Sequence, residues 1–129
     1  MSSGTSPESN GAPARVLVVE DNVIVAMSAE EQLLEIGVVE VVVAHTVAEA
    51  QAQCDGGRFD FALLDFDLGN ETSVAVAERL KSAETPFVFA SGFGDQLDLP
   101  AQLAGSAVLR KPYFLADLEK AVRALCRPG

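Results

Sequence analysis

The chain has 129 residues, 49% of them hydrophobic and 22% charged, a size that builds one domain around one core and leaves no room for a separate output domain. With 9 basic against 19 acidic side chains and a net charge of −10, the surface repels phosphate backbones and anionic membranes. No run approaches the roughly 18 apolar residues that cross a bilayer, and no basic-then-apolar leader is present. A cytoplasmic protein that binds neither nucleic acid nor membrane is expected.

Met1 to Ala14 is rich in Ser, Gly, Pro and Asn, so it reads as a disordered tail (1–14) ahead of one domain (15–127). The first apolar run, Arg15–Glu20, leads into a helical pattern in which Val23, Met27, Leu33, Leu34 and Ile36 mark a face and Gly37 the stop. The second run, Glu40–Ala44, is followed by Thr46-Val47-Ala48-Glu49, a capping-box pattern, and by a helix expected to end before Gly56-Gly57. The third run, Phe59–Asp65, precedes a helix spaced by Val74, Ala77 and Leu80. The fourth, Phe87–Ser91, precedes Gly92–Gly105, where Gly, Asp and Pro leave only Pro100–Ala104 as a short turn in a mobile segment. The fifth, Ala107–Arg110, leads to a last helix with Phe114, Leu118, Ala121, Val122 and Leu125 at helical spacing.

The runs are apolar at consecutive positions, as strands covered on both faces are. Alternation with helices predicts an α/β fold: a doubly wound, five-stranded parallel sheet in the order 2-1-3-4-5. Cys54 and Cys126 are too few and too far apart for a disulfide framework or a zinc knuckle and read as inert thiols.

Three runs end on chemistry. The first delivers Glu20-Asp21, the third ends at Asp65, and the fifth runs into Lys111-Pro112, all at the carboxyl edge where such sheets bind ligands. Glu20, Asp21 and Asp65 would repel one another unless a cation sat among them, and Mg²⁺ suits an all-oxygen ligand set that keeps water positions. Lys111 is a point-charge donor for a phosphate oxygen, and Ser91 offers a hydroxyl on the same side. The set equips Asp65 to attack a phosphoryl group as a nucleophile.

Glu20-Asp21, Asp65, Ser91 and Lys111-Pro112, in this order and spacing, resemble the receiver domain of two-component response regulators, from about Arg15 to Arg127. The resemblance implies a flavodoxin-like (βα)5 fold and a phosphoprotein with Asp65 as phosphoacceptor, not a turnover enzyme. It further implies Asp21 as a direct Mg²⁺ ligand, Glu20 acting through water, Asp67 lending its backbone carbonyl, Lys111 holding the phosphoryl group, and a cis Lys111-Pro112 bond. The donor would be a histidine kinase or a histidine phosphotransfer protein, meeting the mouth of the site and the first helix, Asn22 to Ile36. A narrower resemblance lies in Pro86-Phe87-Val88-Phe89-Ala90-Ser91-Gly92-Phe93, which is similar to the Pro-Phe-x-Phe-Ala-Thr-Gly stretch of the "FAT GUY" receivers, single-domain regulators of alphaproteobacteria that work with kinases of the HWE type in phosphorelays. Ser91 stands where that stretch has Thr.

Val108 occupies the position at which typical receivers carry Tyr or Phe, so the usual aromatic switch is absent and ordering of Gly92–Gly105 through Ser91 is the expected output route. With so frail a fourth helix, a monomer is expected. His45 reads as a surface residue, Tyr113 as the start of the last helix, and Phe93 as either a lid or a partner contact. Two competing readings are a receiver-like interaction module that takes no phosphate, and a haloacid-dehalogenase-type phosphatase suggested by Asp65-Phe66-Asp67. The latter motif usually opens its domain, whereas here it ends the third strand.

Overall fold

Strands that are apolar on both faces need cover on both, and the chain supplies it by placing helices alternately above and below a single sheet. The computed structural model describes residues 12–92 and 97–126. Its strands are β1 (Arg15–Val19), β2 (Glu40–Ala44), β3 (Phe61–Asp65), β4 (Phe87–Ser91) and β5 (Val108–Arg110). They form one sheet in the order β2-β1-β3-β4-β5, parallel throughout. The helices are α1 (Val23–Ile36), α2 (Val47–Gly56), α3 (Val74–Ser82) and α4 (Leu115–Leu125), with a 3-10 turn at Ala101–Leu103 between β4 and β5.

Register aligns the strand ends. Val19 pairs with both Ala44 and Leu64, Asp65 with Ala90, and Ser91 with Arg110. The residues that follow β1 and β5, and those that close β3 and β4, therefore share one edge.

Each face of the sheet has its own apolar layer. Val16, Val18, Phe61, Leu63, Val88 and Leu109 pack against Ala29, Leu33 and Ile36 of α1 and Leu118 and Val122 of α4. On the other side Leu17, Val19, Ala62, Leu64 and Phe89 meet Ala50 of α2, Val76, Ala77 and Leu80 of α3, and Leu103. Phe89 is held edge-on by Phe66 and Phe87, at centroid distances of 5.7 and 5.5 Å.

The termini of α1 explain its limits. The Asn22 carboxamide oxygen accepts from the Val25 N–H at 3.1 Å, and Gly37 closes the helix at φ 121°, where a residue with a Cβ is strained. Its buried face is the expected one only at Leu33 and Ile36. Ala26, Ala29, Leu33 and Ile36 point inward, whereas Val23, Met27 and Leu34 are 55%, 54% and 47% exposed. Phe114, expected on the inner face of the last helix, is 70% exposed and precedes it as N-cap. Tyr113 also lies before α4, half-buried against the core.

The segment between β4 and β5 is as short as Gly and Pro suggested, but its described part is anchored. Leu103 is fully buried, and Leu97 and Leu99 pack beside it. Phe93 lies outside the described residues, as do 1–11 of the expected tail. The end of that tail belongs to the fold: Pro13 is buried and the Ala14 carbonyl accepts from Val39 and Glu40 N–H at 3.1 and 2.9 Å.

Candidate functional site

β1 stops one residue before Glu20, and the turn into α1 holds both acids that follow. Glu20 is 5% exposed and Asp65, the last residue of β3, 6%, while Asp21 is exposed. One carboxylate oxygen from each of Glu20, Asp21 and Asp65 lies within 4.8 Å of the others. Lys111, just past β5, reaches into the cluster: its Nζ is 3.1 Å from Asp65 Oδ1 and 3.3 Å from Glu20 Oε1. Its own backbone N–H donates to the Ser91 carbonyl at 2.8 Å, so the end of β4 fixes where the lysine starts. The Lys111-Pro112 peptide is cis.

The charge balance of the cluster is visible in its titration. Burial, and then the Asp65 charge, push Glu20 up to about 7, against the Asn22 N–H that donates to its Oε2 at 3.1 Å. Burial also raises Asp65, although the Lys111 ammonium opposes it. Burial lowers Lys111, but the two carboxylates outweigh that and leave it raised. One ammonium thus leaves the buried acids under-neutralised. A hard divalent cation fits this donor set, which is all oxygen and partly exposed through Asp21.

Ser91 is buried, 3% exposed, at the end of β4. Asp67 is exposed and its Oδ1 accepts from the Gly69 N–H at 3.0 Å, forming a tight turn in which Gly69 takes φ +92° beside the Asp21 carboxylate. The candidate residues Glu20, Asp21, Asp65 and Lys111 are therefore in mutual reach, and Ser91 and Asp67 border them along the same edge. Burial, Glu20 and Asp65 push the Tyr113 phenol up to about 12, which puts this ring near the acids, a neighbour that the sequence pattern did not mark.

His45 is a correction. It is half-buried rather than on the surface, with Nδ1 2.9 Å from the Glu20 carbonyl oxygen. Cys54 and Cys126 are free and half-buried. Burial raises both thiols, Cys126 to about 11, which disfavours the reactive thiolate in each. Among the described residues no helix is long and apolar enough to cross a membrane.

Comparison with known proteins gives the same answer as the geometry. The family model of the response regulator receiver domain matches residues 16–123. A solution structure of SdrG from Sphingomonas melonis Fr1 is 37% identical, with a TM-score of 0.70 over 88% of this chain and 96% of that one. A BeF3-activated conformation of SdrG from Pseudomonas melonis Fr1 is also 37% identical, with a TM-score of 0.71 over 85% and 93%. A response regulator receiver protein from Burkholderia phymatum shares the fold, with a TM-score of 0.76 at 23% identity over 90% and 97%. No curated protein matches the chain. With its acid cluster, its lysine and its parallel sheet in place, the chain belongs to the response regulator receiver domain family.

Proposed function

We propose that the protein is a single-domain response regulator that accepts a phosphoryl group on Asp65 in two-component signalling or a phosphorelay. The observation that carries this reading is Asp65 itself, a buried carboxylate at a strand end with Lys111 Nζ at 3.1 Å and two further carboxylates within 4.8 Å. Family members are phosphorylated by histidine kinases or phosphotransfer proteins. The similarity of Pro86–Phe93 to the "FAT GUY" stretch favours a kinase of the HWE type, and an ATP-using kinase partner implies the cytoplasm.

In the transfer, an Asp65 carboxylate oxygen forms a bond to phosphorus as the phosphorus–nitrogen bond of the donor phosphohistidine breaks, and the released imidazole keeps the electron pair. Asp21 and Glu20, with Asp65 and the Asp67 carbonyl, would hold Mg²⁺. When bound, Mg²⁺ neutralises negative charge on the acids and on the phosphoryl oxygens. Lys111 exchanges its contact with the Asp65 carboxylate for one with a phosphoryl oxygen, and the Ser91 hydroxyl donates to another. Val108, 36% exposed, is no aromatic switch, which leaves the segment after Ser91 as the route outward.

The donor would dock beside this mouth. A groove of about 420 Å³ runs between α1 and the loop after β5, lined by Ile24, Val25, Ser28, Lys111, Pro112 and Tyr113, and Ile24, Met27 and Phe114 are 72%, 54% and 70% exposed. The protein turns over no external ester and catalyses only its own phosphotransfer and dephosphorylation. The bond from the Gly69 N–H to Asp67 Oδ1 supports a turn-forming role for Asp67 over that of a general acid. A monomer completes the reading.

Intact mass spectrometry of wild type and Asp65→Ala after incubation with acetyl phosphate tests it. A phosphoryl increment confined to wild type and lost without Mg²⁺ is the expected result. No increment from acetyl phosphate, nor from a histidine kinase with ATP, overturns it in favour of an interaction module.

A further inference from the structure

The loop between β2 and α2 contributes no acid to the site, yet it is bonded to the loop that does. The Glu20 N–H donates to the Ala44 carbonyl at 3.0 Å, continuing the β1–β2 ladder one residue beyond the strand. The Glu20 carbonyl faces His45 Nδ1 at 2.9 Å. A carbonyl oxygen only accepts, so Nδ1 must carry the proton. Both backbone groups of Glu20 are therefore tied to residues 44–45.

His45 is itself held. Its backbone N–H donates to Glu49 Oε1 at 2.7 Å, and the Glu49 N–H donates to Thr46 Oγ1 at 3.1 Å, so the first turn of α2 braces the residue. Val47, two residues after His45, gives its N–H to Glu71 Oε2 at 3.1 Å, and Glu71 lies in the loop that follows Asp65. One short connection thus bonds both acid-bearing loops.

We propose that His45 is a positioning residue: by donating from Nδ1 to the Glu20 carbonyl it fixes the Glu20–Asp21 peptide and so presets the acid cluster for a divalent cation and for phosphorylation of Asp65. The inference rests on the receiver reading given above. A carbonyl in one peptide plane sets the direction in which the next residue leaves it, here Asp21, the exposed carboxylate of the cluster. Without the ring, that peptide can rotate and the cluster must be ordered by the cation itself, which lowers affinity.

Two variants and one spectrum test this. Asn places its amide nitrogen the same number of bonds from Cα as Nδ1, so His45→Asn keeps the donor, whereas His45→Phe keeps a ring without one. His45→Phe is expected to lose about tenfold in Mg²⁺ affinity by calorimetry and to be phosphorylated by acetyl phosphate correspondingly slowly at low Mg²⁺, recovering at saturating Mg²⁺. His45→Asn should stay within about twofold of wild type. In wild type, ring ¹⁵N shifts at pH 8 should report the Nδ1–H tautomer. Wild-type Mg²⁺ binding by His45→Phe, equal losses in both variants, or an Nε2–H ring overturns the inference. If His45→Phe fails to fold, the Asn variant and the ring spectrum still decide. A wild type that neither binds Mg²⁺ nor takes phosphate instead removes the receiver reading on which the inference stands.

Discussion

Lys111 Nζ lies 3.1 Å from Asp65 Oδ1, so an ammonium that starts beyond the edge strand β5 reaches across β4 to the end of β3. The reach matters because Asp65 and Glu20 are buried with no other ion pair among the described residues than the ones Lys111 makes. Replacing Lys111 by Ala leaves two buried acids unopposed. Since the lysine side chain is 28% exposed, the cost is smaller than for a fully buried pair, about 1–2 kcal/mol at pH 8. Urea unfolding should show that loss shrinking as the pH falls below about 7, where Glu20 takes up its proton, and phosphoryl uptake by the variant should be strongly reduced.

Glu20 makes stability fall with rising pH in the metal-free protein. In the folded chain it keeps its proton up to about 7, whereas the unfolded chain releases it near its ordinary value of 4.5. Between those limits the folded state binds more protons, so raising the pH favours unfolding. Asp65 is shifted in the same direction. Thermal melts in a chelator should drop by a few degrees from pH 5 to pH 7.5, and excess Mg²⁺ should remove the drop. A flat or rising profile without metal would contradict this balance of charges.

Ser73 is the N-cap of α3, yet its side chain makes no cap bond. Its hydroxyl is the one buried side-chain oxygen or nitrogen without a hydrogen-bond partner among the described residues. A buried hydroxyl left unpaired costs about 1–3 kcal/mol of desolvation. Ser73→Ala should therefore raise the urea midpoint, by roughly 1 kcal/mol in free energy, without altering phosphoryl uptake.

Leu103 is the only buried residue of the 3-10 turn and is fully buried against the α3 side of the sheet. Leu103→Ala should cost about 2–4 kcal/mol, as leucine truncations in cores do. Gln102→Ala, at an exposed position bonded to Glu78 at 2.6 Å, should cost under about 1 kcal/mol. Equal effects in chemical denaturation would mean that the turn is not anchored through its leucine.

The strands and the meeting of Glu20, Asp21, Asp65 and Lys111 were legible in the sequence because they rest on local patterns: consecutive apolar residues make a two-sided strand, and a charged residue at its end must reach the sheet edge; strand order followed from the alternation with helices and the handedness of crossovers. The shortness of the turn between β4 and β5 was legible for the same reason, written in Gly92, Asp98, Pro100 and Gly105, but its anchoring through Leu103 was not. The α1 face was legible only at Leu33 and Ile36. Its pattern offers two apolar stripes, and the inner one is built on Ala26 and Ala29, whose small side chains carry little weight in a hydrophobic count but let the helix approach the sheet closely. The bracing by His45 and Glu71 was invisible because it joins three loops through single hydrogen bonds to backbone groups, which leave no periodic trace.

The sheet is also finished unevenly. β5 spans only Val108–Arg110, and of these only Leu109 is buried, with Arg110 exposed and Lys111 following at once. A border so brief, closed by two cations, offers little template for a foreign strand and resists stacking into fibres. The short strand that sends Lys111 to the acids therefore also leaves this edge of the sheet with little free backbone to pair.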